Sequence, residues 1–250
     1  MWTMKIDENH LSYKYLLTAA ERREYRDLNP IPKRPLIPPP SLQDANKILL
    51  VLDLDQTLMN SHYIMPNHYD FSFKLNLAGG VKKVKDVFVQ TRPYAYEFLS
   101  ITSQWFELAV YTASLPIYAD QIIDKIDTNR LIKHRLYRHH CGVYRDHYIK
   151  DLEFLGRPLT RVVLVDNHPA SYMAHPDNGV PIYSYLGQPD DNGLRDLISF
   201  LQLLRSVDNV VPCVQRYVVW WRKKLGEYLQ ACAEKEATAT RNGTNLDDSW

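Results

Sequence analysis

The chain has 250 residues, 45% of them hydrophobic, with 30 lysines and arginines against 29 aspartates and glutamates and a formal charge of +1. This balance excludes strong global attraction to nucleic acid or to an anionic membrane surface, and the length suits one α/β domain with extensions. With a mean hydropathy of −0.37 and no apolar run approaching ~18 residues, no membrane-spanning helix is expected. Three widely spaced cysteines, Cys141, Cys213 and Cys232, speak for a reducing intracellular compartment rather than a disulfide framework.

In chain order, residues 9–26 are expected to form an amphipathic helix through Leu11, Tyr15, Leu16 and Ala19. Pro30, Pro32, Pro35, Pro38, Pro39 and Pro40 then make a stiff, extended connector. A strap across the domain is the stronger reading of it, and a ligand for a partner's aromatic groove the weaker. Residues 49–52 are all apolar, as suits a strand buried on both faces. The run ends in Asp53 and Asp55. Alternate side chains of an extended chain share a face, so both carboxylates could enter one cleft. Crowded, dehydrated carboxylates are tolerable around a divalent cation, usually Mg²⁺.

Residues 71–77 and 84–89 alternate apolar with polar around Ala78-Gly79-Gly80, the pattern of a hairpin. Helices are expected over 94–102, 116–126 and 192–204, and strands over 106–111 and 162–165. The two strands run into Thr112-Ala113-Ser114 and Asp166-Asn167. Strands alternating with helices imply a doubly wound parallel sheet with helices on both faces. Ligands of such sheets bind beyond the carboxyl ends of the strands. Asp53, Asp55, Thr112, Asp166 and Asn167 are therefore expected at one edge. Tyr217, Trp221, Leu225, Tyr228, Leu229 and Cys232 recur at helical spacing in the tail, which reads as a helix docked on the domain.

Chemical roles follow from that edge. Pro116 suits the first turn of a helix, whose free amides, with the Thr112 hydroxyl and the N–H groups of Ala113 and Ser114, would nest phosphate oxygens. Lys150 could bring a positive charge to the same anion; the alternative is a surface lysine paired with Asp151. Asp166 and Asn167 offer the oxygen ligands that Mg²⁺ prefers. One carboxylate can act as nucleophile while the other handles protons. Rival chemistries lack their residues. His147, Val219 and Thr238 stand where a cysteine-dependent phosphatase would need arginine after each cysteine. No Walker or G-x-G-x-x-G loop exists, and His139-His140-Cys141 has no companion cluster to complete a zinc site.

The segments L-V-L-D-L-D-Q-T-L (50–58), R-P-Y-A-Y-E-F-L (92–99), Y-T-A-S-L-P-I-Y-A-D (111–120), Y-I-K-D-L (148–152), V-D-N-H-P-A-S-Y (165–172) and H-P-D-N-G-V-P-I (175–182) together resemble the FCP/SCP-type (CTD small phosphatase-like, NIF domain) phosphatases of the haloacid-dehalogenase superfamily. The resemblance spans residues 47–211 and implies a Rossmann-like, doubly wound parallel sheet with a small β-hairpin insertion after the first motif. It divides the chain into an N-terminal helix and connector (1–41), a phosphatase domain (42–210, insert about 62–91) and a C-terminal helix and polar tail (211–250).

It also implies a Mg²⁺-dependent protein serine/threonine phosphatase working through an aspartyl phosphate. Its substrate would be the RNA polymerase II C-terminal domain or another phosphoprotein, and its residence nuclear or cytoplasmic. Carried over by position, Asp53 is the nucleophile, Asp55 the general acid and base, and Thr57 orients the loop. Thr112, Ala113 and Lys150 hold the phosphoryl oxygens. Mg²⁺ would be held by Asp53, the Asp55 carbonyl and Asn167, with Asp166 close by. Tyr63, Leu115 and Tyr118 resemble an apolar pocket for a substrate residue, and Arg138 a substrate-contacting arginine. The first forty residues and the tail match nothing in the family, and Gln56 stands where many small members carry glutamate. Two alternatives remain at this point: a noncatalytic binding protein on the same fold, and a phosphatase for small metabolites.

Overall fold

A computed structural model of the chain describes residues 17–77 and 83–241. Helix α1 (Ala19–Leu28) opens on a capping box: the Thr18 hydroxyl accepts from the Glu21 N–H, and the Glu21 carboxylate accepts from the Thr18 N–H at 2.7 Å. Its buried residue is Tyr25, while Ala19 is exposed. Leu11, Tyr15 and Leu16, expected on its apolar face, lie outside the described residues. The proline connector does cross the domain. The Leu36 N–H donates to the Phe154 carbonyl at 2.8 Å, Arg157 donates to the Pro38 carbonyl at 2.7 Å, and Ile37 is buried.

Strand β1 (Ile48–Leu52) is buried at every position. The antiparallel β2 (Met59–His62), β3 (Phe71–Leu77) and β4 (Lys83–Thr91) follow, then α2 (Ala95–Trp105) and β5 (Phe106–Tyr111). Next come α3 (Pro116–Ile126), β6 (Ile132–Leu136), the short pair β7 (Gly142–Tyr144) and β8 (His147–Ile149), β9 (Val162–Asp166) and β10 (Gly179–Pro181). Two helices, α4 (Gly193–Leu204) and α5 (Val211–Arg241), end the described chain. Strands β10, β9, β1, β5 and β6 form, in that order, one parallel sheet. Its central strands are apolar on both faces, as burial between two layers requires.

The two faces are covered differently. Leu50 and Leu52 pack with Phe98 of α2, Ile122 of α3 and Leu201 of α4. Leu49, Val51 and Leu164 face Ile37 of the strap, Leu152, Leu155 and Tyr172. The expected long helices thus sit on one face, and the strap with short 3₁₀ turns at Leu152–Leu155 and Pro169–Tyr172 covers the other.

The insertion is a three-stranded sheet of order β2-β4-β3, not a bare hairpin. Pairing of Met59 with Thr91 and Ser61 with Val89 recruits three residues just before the expected insert, Met59, Asn60 and Ser61, and its first, His62. So short a strand carries no readable period. The expected turn at Ala78-Gly79-Gly80 lies outside the described residues. Helix α5 docks through Val214, Trp221 and Leu225, with Trp221 5.0 Å from Tyr183 and Tyr217 4.1 Å from Phe200 between ring centroids. The side chains of Tyr228, Leu229 and Cys232 are outside the described ones. No helix among the described residues is long and apolar enough to cross a membrane.

Candidate active site

Register brings the strand ends together. Leu52 lies opposite both Val110 of β5 and Val165 of β9, so Asp53 and Asp166 emerge at one level of the sheet, with Thr112 one residue beyond it. The Asp53 N–H donates to the Val165 carbonyl at 3.0 Å, and the Thr112 N–H to the Leu136 carbonyl at 2.9 Å. Beyond Asp55 the chain reverses at Gln56, which holds φ +61°, a left-handed conformation uncommon for a residue with a Cβ. Arg92 pins this turn from below. Fully buried, it donates to the Thr57 carbonyl at 3.1 Å and grips Asp191 through two bonds of 2.7 and 2.9 Å. Gly193 makes room for it, since a Cβ there would lie 2.3 Å from Arg92 Nη2.

Lys150 projects from the end of β8 into the acids, 2% exposed. Its Nζ lies 2.5 Å from Asp53 Oδ1 and 2.6 Å from Asp166 Oδ2. The surface pair with Asp151 is therefore absent: Asp151 instead accepts from Tyr25, Arg26 and His175. Two carboxylates raise the Lys150 ammonium well above its ordinary range against the opposing effect of burial. Burial pushes Asp53 up to about 6, with Lys150 opposing and Asp166 adding to the rise. Asp55 is raised by burial and then by the Asp53 charge, while bonds from Tyr118 and Ser114 hold it back. Those bonds are 2.6 Å from Tyr118 Oη to Oδ1 and 2.8 Å from Ser114 Oγ to Oδ2, with Thr112 Oγ1 3.4 Å from Oδ2. The whole edge opens on a cavity of about 380 Å³ lined by Asp53, Asp55, Thr112, Ala113, Arg138, Lys150, Asp166 and Asn167 among others.

Donor chemistry tests the expected cation. Asp53 and Asp166 are buried and Asp55 half-buried around one lysine, so the carboxylates outnumber the positive charge. Asn167 donates its Nδ2 to Ser184 Oγ at 2.9 Å and Gln56 Oε1 at 3.3 Å, which directs the amide. Its Oδ1 is 3.4 Å from Thr57 Oγ1. An all-oxygen set with excess negative charge fits a hard divalent cation such as Mg²⁺. A second group, Asp151, Glu153 and His175, also has ligand atoms within 4.8 Å of one another. There the Arg26 guanidinium already supplies the positive charge.

The substrate-pocket residues separate. Tyr63 and Leu115 are exposed at 57% and 41%, and Lys85 Nζ lies 5.0 Å from the Tyr63 ring centroid. Tyr118 is buried, its ring beside Phe73 and its hydroxyl spent on Asp55 and Ser61, so it faces the acid rather than an open apolar wall. Arg138 donates to the Ala113 carbonyl at 2.6 Å and lies over the Tyr148 ring. The Ser114 hydroxyl, on Asp55, and Arg92, on the Thr57 carbonyl, do work at the site that the sequence reading did not assign: it gave Ser114 only its N–H and Arg92 only a place in a motif. The sequence signals were the second hydroxyl after β5 for Ser114 and the R-P-Y segment that opens on Arg92.

The family model for NLI interacting factor-like phosphatases matches residues 48–211. The human carboxy-terminal domain RNA polymerase II polypeptide A small phosphatase 1 is 41% identical over 185 residues, 74% of this chain and 70% of that protein. The human CTD small phosphatase-like protein is 38% identical over 201 residues, 79% and 72%. Among solved structures, fission yeast RNA polymerase II CTD phosphatase Fcp1 bound to beryllium fluoride aligns with a TM-score of 0.49 at 17% identity, covering 80% of this chain and 67% of that one.

Proposed function

The chain belongs to the NLI interacting factor-like phosphatase family, and from that premise we propose that it is a Mg²⁺-dependent phosphoserine/phosphothreonine protein phosphatase acting through an aspartyl phosphate. In this reading residues 42–210 are the phosphatase unit, about 62–91 its insertion, and 1–41 and 211–250 extensions. It works inside the cell, in nucleus or cytoplasm, on a phosphoprotein such as the RNA polymerase II C-terminal domain named for its human relative. One observation carries the reading: Lys150 bridges Asp53 and Asp166 while two hydroxyls within 2.8 Å hold Asp55 beside them.

A carboxylate of Asp53 attacks phosphorus, forming the acyl-phosphate bond as the bond to the seryl or threonyl oxygen breaks. Asp55, whose carboxyl is raised by burial and by the Asp53 charge and so gives up its proton less readily, donates a proton to the departing oxygen. Now ionised, Asp55 takes a proton from water as the water oxygen bonds to phosphorus. Inorganic phosphate leaves and the Asp53 carboxylate returns. Lys150, Thr112 and the Ala113 N–H hold the equatorial oxygens, where positioning and electrostatics supply most of the rate. Bound among Asp53, the Asp55 carbonyl, Asp166 and Asn167, Mg²⁺ would offset charge on the transferring group. Exposed Tyr63 and Leu115 give a peptide an apolar surface beside the phosphate.

Turnover of p-nitrophenyl phosphate with and without Mg²⁺, followed by a phosphopeptide panel, tests the reading. Asp53→Asn should lower kcat by on the order of 10⁴-fold or more, the scale of losing a nucleophile. It should also abolish a hydroxylamine-sensitive phosphoryl label on the protein. Wild-type turnover by that variant would reject the nucleophile, and small phosphometabolites outcompeting every phosphopeptide would reject the protein substrate.

A further inference from the structure

Helix α1 lies outside the residues that the family model matches, yet it is keyed into the wall behind Lys150. Tyr25 is 2% exposed and donates its hydroxyl to Asp151 Oδ2 at 2.9 Å. Arg26 Nη1 approaches the same oxygen at 3.0 Å and its other nitrogen pairs with Glu153. His175 Nε2 and the Glu153 N–H complete the set on Oδ1, at 2.7 and 3.1 Å. Asp151 is therefore a fully buried carboxylate satisfied from both sides, with half its partners on α1.

The backbone carries a notch for the helix. A Cβ on Gly142 would sit 2.3 Å from the Tyr25 hydroxyl oxygen, so only glycine leaves room there. Asn29, which ends α1, mimics a strand neighbour: its Nδ2 donates to the Val143 carbonyl at 3.0 Å and its Oδ1 accepts from the Val143 N–H at 2.9 Å. Val143 belongs to β7, which pairs with β8, and β8 runs directly into Lys150. Consecutive residues of an extended chain point to opposite sides. Fixing Asp151 toward α1 consequently fixes Lys150 toward Asp53 and Asp166.

We propose that α1 is a positioning element of the phosphatase, in which Tyr25 and Arg26 hold Asp151 so that Lys150 projects correctly onto the acids. The proposal rests on the role given to Lys150 above. Residues that hold a functional group in place act on the chemical step more than on substrate affinity, because a small misplacement costs rate.

Three variants of the full chain test it, assayed with p-nitrophenyl phosphate at saturating Mg²⁺ and well below each melting transition. Tyr25→Phe removes one donor from Asp151 and is nearly isosteric; Gly142→Ala drives a methyl group into the Tyr25 hydroxyl. Each should lower kcat roughly tenfold, the scale on which outer-shell partners act, with KM within about twofold. If Gly142→Ala does not fold, Tyr25→Phe decides alone. Wild-type kcat in folded Tyr25→Phe overturns the proposal, even where the melting temperature drops, and so does a rise in KM alone. Lys150→Ala separates the two levels. Lost turnover there beside an unimpaired Tyr25→Phe rejects only the positioning role. Retained turnover in Lys150→Ala rejects the reading of the site itself.

Discussion

Asp53 and Asp55 stand two residues apart on one strand end, but their neighbours differ in sign. Asp53 meets a lysine at 2.5 Å, whereas the side-chain partners of Asp55 among the described residues are hydroxyls, from Tyr118, Ser114 and Thr112. An ammonium favours the ionised nucleophile; hydroxyl donors against burial leave the second carboxyl able to hold and release a proton. Tyr118 is thus placed to tune the proton carrier. Its bond lowers the Asp55 pKa against burial and the Asp53 charge, so deleting the hydroxyl lets that pKa climb. Water activation needs ionised Asp55, and the acid limb of kcat in Tyr118→Phe should therefore move to higher pH. Near neutrality kcat should fall roughly three- to tenfold. A limb that stays put, measured across the full profile, would show that Tyr118 does not govern Asp55.

Among the elements, those whose residues are constrained on both sides were legible and those defined by a partner were not. Residues 106–111 and 116–126 read correctly to the residue, because an unbroken apolar run and a helix-opening Pro116 are local signals. The same holds for Asp53, Asp55, Thr112, Asp166 and Asn167 at one edge, since parallel strands fix which ends meet. Strand β2 escaped because its hydrogen bonds go to β4, and Tyr118's hydroxyl because helical spacing says only that the residue faces inward. The strap shows the intermediate case. Six prolines announced an extended segment, but nothing local says that Ile37 fills the sheet's second face beside Val51 and Leu164. Ile37→Ala should cost about 3 kcal/mol, as large-to-small changes in a core do. The melting temperature should drop by about 6–12 °C, with kcat unchanged well below it. A loss of only a degree or so would mean the strap rests on the sheet without packing.

At the scale of the whole molecule the site works against the fold. Asp53 titrates at about 6, raised by burial with Lys150 opposing and Asp166 adding, and Asp55 is raised as well. From the unfolded value of ~3.9 up to about 6 the folded protein holds a proton on Asp53 that the unfolded chain has lost, so in that window Asp53 makes stability fall as pH rises, and Asp55 acts with the same sign. Asp151 has the opposite sign. Burial would raise it, but His175, Arg26 and Tyr25 hold it low, so its stabilisation is present above ~3.9 and disappears on acidification through its folded value. Acid unfolding therefore draws on Asp151 and its α1 contacts together with Asp44, which Lys133, Ser41 and Lys47 hold down to about 2 against burial, while near neutrality the metal-free protein carries dehydrated acids, Asp53 among them ionised. Removing one of them should stabilise. In chelator at about pH 8, Asp53→Asn should melt roughly 5 °C above wild type, as ~2 kcal/mol would give in a chain of this size, and the gap should close towards pH ~4. A cation competes with the same protons, so Mg²⁺ should raise the wild-type melting temperature more at about pH 8 than at about pH 5, and raise that of the variant less. An Asp53→Asn protein that melts below wild type at both pH values would mean that the carboxylate supports the fold. The cluster would then be a structural ion network instead of a site held ready for phosphate and metal.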